Sequence, residues 1–165
     1  MSGEIEKRLQ ALGHSLPQGC VPDGSFLPFK RDGDQVFLAG QTCEWNGEIL
    51  HEGPVLAPGQ QPADGRRGID LETGRQAAQV CALNLLFHLK AACGGDLDRA
   101  VGPLRLGGFV NCLPGFDRSP AVVDGASDLF VALFGEEGRH ARTAVGVSGL
   151  PGNAAVEVDA VFRLR

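Results

Sequence analysis

Apolar positions recur along this chain with two different periods, and the change of period marks out its elements. Ile5, Leu9 and Leu12 stand at helical spacing ahead of Gly13, which predicts a short amphipathic N-terminal helix. Residues 14–33 are rich in Gly and Pro and read as loop. Asp34-Gln35-Val36-Phe37-Leu38-Ala39-Gly40 is a short apolar run entered from a turn, and reads as a strand. Residues 46–68 hold many Gly, Pro, Asp and Gln and read as a long surface loop or hairpin; a loop of this length in a compact domain is often functional.

The helical period then returns. Thr73-Gly74-Arg75-Gln76 matches a capping box, with Thr73 as N-cap and Gln76 at the third helical position. Ala77, Val80, Cys81, Leu85, Leu89 and Ala92 continue the stripe to Cys93, and Gly94-Gly95 ends it. Leu104 to Val110 reads as a strand. Ser119-Pro120 supplies an N-cap and a first-turn proline for a second long helix, whose stripe is Val122, Val123, Ala126, Leu129, Phe130, Leu133 and Phe134, closed by Gly135. Residues 141–148 alternate, with Ala141, Thr143, Val145 and Val147 on one face and Arg142, Ala144, Gly146 and Ser148 on the other. The last strand alternates more strongly: Val156, Val158, Ala160, Phe162 and Leu164 oppose Glu157, Asp159 and Arg163. Two long helices among several strands predict a layered α+β domain with both helices on one sheet face.

Composition narrows the function. A chain of 165 residues closes one hydrophobic core, so residues 1–165 read as a single domain. The net charge is −5 with no basic run, which argues against nucleic acid as the partner. No apolar run nears the ~20 residues that span a bilayer, so no membrane association is expected. The N-terminus is charged and lacks an apolar signal core, which predicts an unexported, cytoplasmic protein. Cys20, Cys43, Cys81, Cys93 and Cys112 are odd in number and irregularly spaced, and read as reduced thiols, mostly buried as small hydrophobes. There is no metal-ligand spacing and no phosphate-cradling glycine loop.

The chemistry-bearing residues lie near the C-terminus. Arg142 stands among small neighbours, Ala144 and Gly146, which leave room for a ligand. A guanidinium grips a carboxylate with two parallel hydrogen bonds. Glu157 and Asp159 offer carboxylates that can orient or deprotonate a water. On adjacent strands, the commoner outcome of such residues is a solvated cross-strand ion pair. His140 precedes Arg142 and is a candidate to flank the same cleft. Trp45 and Cys43 follow the strand that carries Gly40; His88 reads as a packing or surface residue and Arg66-Arg67 as solvated.

The stretch from Ala141 through Arg142-Thr143-Ala144-Val145-Gly146-Val147-Ser148-Gly149-Leu150-Pro151-Gly152-Asn153 to Ala154-Ala155-Val156-Glu157-Val158-Asp159-Ala160 resembles the signature of the RidA/YjgF family, also called translation-inhibitor-like or endoribonuclease L-PSP-like proteins. Leu38-Ala39-Gly40-Gln41 is similar to the family's Ser-Gly-Gln segment. The helix at 75–93, Phe109-Val110 and the helix at 119–134 extend the likeness over about residues 25–165. The helix and loop of residues 1–24 and the inserted loop at 46–68 resemble a longer, less characterised subgroup.

This resemblance implies a chorismate-mutase-like α+β fold: a mixed sheet with two long helices on one face, here with a short N-terminal helix added. It also implies a homotrimer with ligand clefts between subunits. The implied activity is cofactor-independent hydrolysis of reactive enamines and imines, such as 2-aminoacrylate, to 2-oxoacids and ammonia, with no metal. Arg142 would hold the substrate carboxylate, Glu157 would position water, and backbone near Gly40 and Ala144 would meet the imine. The sequence departs from the pattern at Phe26, where deaminating members carry Tyr; at Ala39, which replaces Ser; at Asp124, where Asn is common; and at Ala144, which replaces a small polar residue or Cys. These departures favour an alternative: a trimeric protein that binds small carboxylates without turnover, or regulates through that binding. A third reading, action on RNA, is opposed by the acidic charge.

Overall fold

A computed structural model describes residues 3–18 and 24–165 of the chain. Its secondary-structure elements are α1 (Glu4–Ala11), β1 (Phe29–Asp32), β2 (Gln35–Thr42), β3 (Glu44–Trp45), β4 (Glu48–Ile49), α2 (Leu71–Ala92), β5 (Ala100–Asn111), α3 (Ser119–Phe134), β6 (Ala141–Val147) and β7 (Val156–Leu164). Five strands form one sheet in the order β1-β2-β7-β5-β6, and β3 and β4, two residues each, make a separate hairpin at the entry to the long loop. β7 lies antiparallel to both β2 and β5, and β6 runs parallel to β5. A parallel pair needs a long crossover, and α3 supplies it. The result is the layered α+β domain that the pattern predicts, built on the mixed sheet that the resemblance implies.

The core follows from the two periods. Val36, Leu38, Leu106, Val110, Val156, Val158 and Phe162 line the covered sheet face, each at most 5% exposed. The buried stripe of α2 is wide because it touches both the sheet and α3. Its small members Ala77, Ala78, Cys81 and Ala82 bring the helix close, while Leu85, Leu86 and Leu89 fill the volume behind them. Each of those leucines contributes ~2 kcal/mol of burial. The helices cross closely at Gly125: a β-carbon there would run into the backbone carbonyl of Arg75. Phe130 and Phe162 complete the layer edge to face, 5.3 Å between centroids.

Several boundaries differ from the sequence reading. Helix α2 begins two residues before Thr73, because Asp70 caps it by accepting from the Thr73 backbone N–H at 2.8 Å. Thr73 is the third helical residue, so the proposed capping box is not the one used. The N-cap of α3 is Arg118, one residue earlier than expected, and Ser119 is buried in the first turn. β5 starts at Ala100 rather than Leu104 and passes two register shifts on the way. Within the expected loop at 14–33, Phe29–Asp32 forms an edge strand, turned back onto β2 through Gly33, whose φ of +59° suits glycine. Helix α1 ends before Leu12, which is exposed; Ile5 and Leu9 are buried. Its N-terminus is capped from outside: Asp98 accepts from the backbone N–H groups of Glu4 (2.7 Å) and Ile5 (2.9 Å).

Among the described residues, the other face of the sheet carries no helix. Phe37 (46% exposed) and Val145 (41%) stand on it, with Phe109, Val161, Glu157 and Asp159 between them. Among the described residues, no helix is long and apolar enough to cross a membrane. Cys43, Cys81 and Cys93 are buried and Cys112 is half-buried; Cys20 lies outside the described residues.

Candidate functional site

Strand β6 is an edge strand, and the register with β5 decides which way Arg142 points. Arg142 pairs with Leu106, Ala144 with Gly108 and Gly146 with Val110, so these residues face the helix layer. Gly108 leaves room for Val123 of α3, and Gly146 leaves room for the Cys112 sulfur. The Arg142 guanidinium therefore reaches α3. Its Nη1 donates to Asp124 Oδ1 (2.7 Å) and to Ser127 Oγ (2.9 Å). No other hydrogen bond or ion pair engages it among the described residues, which leaves the Nε–Nη2 edge uncommitted. That edge is the one suited to a two-point carboxylate grip.

The surroundings hold Arg142 in place. Asp124 also lies 3.9 Å from Arg75, which itself binds Asp128 at 2.8 Å. Ser127 stands 3.0 Å from His140 Nε2, and His140 Nδ1 lies 2.8 Å from the Gly138 carbonyl. A carbonyl only accepts, so Nδ1 carries the proton and Nε2 accepts from the Ser127 hydroxyl. Ser127 thus donates to His140 and accepts from Arg142. Burial first, and then the Arg142 charge, lower the His140 pKa and keep the imidazole neutral; the bond to Gly138 opposes this. His140 does flank this group, as its position suggested. Ser127 was not singled out from the sequence; its spacing three residues after Asp124 on a helix is the signal that places both on one face.

Glu157 belongs to a second group, on the uncovered sheet face. β7 and β6 are not neighbours, because β5 lies between them. Glu157 pairs with Phe109 of β5 and with Thr42 of β2. By the alternation of β7 it points away from the layer that Arg142 faces. The expected cross-strand pairing of Arg142 with Glu157 is therefore not formed within one chain. The carboxylate lies instead over the backbone of β2 at Gly40, where a β-carbon would collide with Glu157 Oε1. A register shift between Leu38 and Gln41 makes the bulge that presents Ala39 and Gly40 there. Burial and the neighbouring Asp159 raise the Glu157 pKa above the ordinary glutamate value. Asp159 is raised by burial too, against the pull of Arg105 at 3.9 Å and the Gly107 backbone N–H.

The sequence-predicted site residues thus fall into two sets. Arg142, Ala144 and Asp124 meet at the β6 edge. Ala39, Gly40 and Glu157 meet at the β2 bulge. Phe26 is exposed in the loop before β1, and that loop is tied to the bulge by the Ala39 N–H donating to the Pro28 carbonyl at 3.0 Å. Trp45 is half-buried and packs against the core, and His88 is buried edge-on to Phe87. Cys43 is buried and donates to the His51 carbonyl, which leaves it no access to a substrate. Arg66 is held by Asp64 at 2.6 Å.

Fold and residues together define a class. The family model described as "YjgF/chorismate_mutase-like, putative endoribonuclease" matches residues 6–162. The chain belongs to this RidA/YjgF family. It is similar to protein TCP17 of Trypanosoma cruzi, 39% identical over 164 residues that cover 99% of this chain and 96% of that protein. It is also similar to the crystal structure of Atu1372 from Agrobacterium tumefaciens, a protein of unknown function: 37% identity, TM-score 0.85, with 98% of this chain and 92% of that chain covered. RidA from the Antarctic bacterium Psychrobacter sp. PAMC 21119 shares the fold at 20% identity and TM-score 0.54, over 89% of this chain and 94% of that one.

Proposed function

We propose that this protein hydrolyses small 2-imino acids and their enamine tautomers to 2-oxoacids and ammonia. The observation that carries this reading is the uncommitted Nε–Nη2 edge of a fixed Arg142, matched in the same chain by a Glu157 carboxylate of raised pKa. Arg142 binds the substrate carboxylate. Glu157 takes a proton from water as the water oxygen adds to the imine carbon. That proton passes to nitrogen to give the carbinolamine; as its C–N bond breaks, the hydroxyl proton is carried to the leaving nitrogen, and ammonia leaves as the carbonyl forms. Water is the only co-reactant, so no cofactor or metal is required. Imines hydrolyse readily, and orientation with mild base assistance supplies what the reaction needs.

Arg142 and Glu157 face opposite sides of one sheet. A complete site on this reading draws the arginine from one copy and the carboxylate from another. The uncovered sheet face, with Phe37 and Val145, supports assembly of identical copies around that face, and a homotrimer with clefts between subunits is the arrangement we propose. On this reading the protein acts in the cytoplasm, in keeping with a charged N-terminus that lacks an apolar signal core.

One observation favours a second reading, capture of a small carboxylate without turnover. Asp124 already compensates the Arg142 charge at 2.7 Å. A coupled assay separates the two. A pyridoxal-phosphate-dependent dehydratase generates 2-aminoacrylate from serine, and pyruvate release is followed with and without this protein. Acceleration that disappears in Arg142→Ala and in Glu157→Gln supports hydrolysis. No acceleration, with pyruvate binding that depends on Arg142, supports capture.

A further inference from the structure

The inserted loop builds a cavity that the proposed reaction does not use. Val55 is fully buried and pins the loop: its N–H donates to the Asn111 carbonyl at 2.7 Å, continuing the end of β5. Leu56 N–H then donates to the Ile69 carbonyl (2.9 Å), and Ile69 N–H to the Pro54 carbonyl (2.9 Å), which closes the loop on itself. Gly68 sits where a β-carbon would strike Leu56 and the Pro54 carbonyl, so the two arms touch. Gln60 fastens the far wall. Its amide donates to the Pro114 carbonyl (3.2 Å) and its oxygen accepts from Ala57 N–H (3.1 Å). Between these walls, the start of α2 and the segment before α3 lies a cavity of about 520 Å³. That is within the usual range for small-molecule sites. It shares no lining residue with the Arg142 or Glu157 groups.

The lining is mainly apolar, with Leu56, Pro58, Ile69, Leu71 and Phe116 as its body. Its polar side chains can be accounted for one by one. Asp70 caps α2 through Thr73, Glu72 lies 3.7 Å from Arg75, and Gln60 is spent on the loop. Arg118 remains: its guanidinium has no hydrogen bond or ion pair among the described residues. Asp70 and Glu72 keep their charge but each has a partner of its own, and Arg118 is the lining group without one among the described residues, so an apolar body bearing one negative charge suits this cavity best when its charge lies on the Arg118 side.

We infer that this cavity binds an aromatic or branched-aliphatic monocarboxylate, with the carboxylate on Arg118 and the apolar body between Leu56, Ile69 and Phe116. The site is separate from the proposed catalytic cleft and does not depend on it.

The test is a charge cycle on ligand and protein, using the full chain. Binding of 3-phenylpropionate and of its neutral amide is measured by calorimetry for the wild type, Phe116→Ala, Arg142→Ala and Arg118→Gln in the Arg142→Ala background. Circular dichroism confirms that each variant is folded. Wild type should prefer the acid over the amide by about tenfold, the worth of one charge-assisted hydrogen bond at an accessible guanidinium. Arg118→Gln in the Arg142→Ala background should erase that preference while still binding the amide. Phe116→Ala should weaken both ligands about equally, and Arg142→Ala, which removes the other carboxylate grip, should leave a binding event that still prefers the acid. The inference is overturned if wild type binds neither ligand at millimolar concentration. It is overturned equally if the acid preference is lost in Arg142→Ala alone or survives Arg118→Gln in the Arg142→Ala background. Failure of the Arg142 chemistry in the coupled assay leaves this result unaffected.

Discussion

Asp124 sets how strongly Arg142 can attract an anion, and Asp124→Asn tests this directly. Asparagine keeps an acceptor oxygen for the 2.7 Å bond from Nη1, so the guanidinium stays oriented while one negative charge is removed. A carboxylate seated on the opposite edge of the guanidinium would lie ~6 Å from Asp124, by the dimensions of the fork. Two unit charges at that separation repel by ~0.7 kcal/mol in bulk water and ~2.8 kcal/mol at an effective dielectric of 20. Asp124 is 42% exposed at its side chain, which places the effect toward the lower figure. The variant should therefore bind a small carboxylate such as pyruvate ~3- to 10-fold more tightly at low salt, and KM in the coupled assay should fall by a similar factor. The gain should shrink as salt is raised toward 0.5 M, where the Debye length drops well below ~10 Å. The fold should be little affected, because an exposed ion pair is worth at most ~1 kcal/mol. Calorimetry at 20 and 500 mM salt measures the effect. An unchanged or weakened affinity at low salt would refute the reasoning, because Asp124 would then be holding the arginine rather than competing for it.

Glu157→Gln should abolish turnover and also raise the melting temperature at pH 7 by about 2 °C, since it removes a half-buried charge; a fall in melting temperature would mean the carboxylate is compensated in the fold. The pH dependence has two parts of opposite sign. The raised Glu157 and Asp159 pKa values mean the folded state holds those protons longer, so stability from this source falls as pH rises above the ordinary carboxylate range. The lowered pKa values of His51, His88 and His140 mean the unfolded chain takes protons first, so stability also falls as pH drops below about 6.5. Glu6, Asp70 and Asp98, whose pKa values are lowered, add a further loss as pH falls through the ordinary carboxylate range, so denaturant titrations are compared between pH 5 and 8, where His140→Asn should make the loss on the histidine side shallower. Two glycines separate function from packing. Gly40→Ala meets only the movable end of Glu157 and should cost activity with little loss of stability. Gly125→Ala meets the Arg75 backbone carbonyl and should cost about 1–3 kcal/mol in urea unfolding.

How much of this was legible from residue order alone varies by element, for physical reasons. The stripes of α2 and α3 and the alternation of β7 were legible because each is a repeating local pattern that burial on one side imposes. The edge strand Phe29–Asp32 was not. It is mostly exposed, so no apolar period marks it, and only its ladder with β2 makes it a strand. The sequence does not separate the N-cap Asp70 from Thr73, because both are capping residues within one turn, and only the path of the loop through Ile69 selects between them.

The family signature at 141–160 likewise named Arg142 and Glu157 from order alone, because each is a chemically distinctive residue in a fixed local context. Where they point was decided by the tertiary structure. β5 inserts between β6 and β7, and the parity of that pairing turns the two side chains to opposite faces. Sequence by itself determined the periods, the fold class and the chemical groups, since these rest on interactions within a few residues. Only the folded chain determined that Asp124 and Ser127 hold the arginine, that Gly40 lies beneath the glutamate, and that the inserted loop closes a cavity on Arg118. Those contacts join residues 13 to over 100 positions apart, and no local pattern encodes the strand order that brings them together.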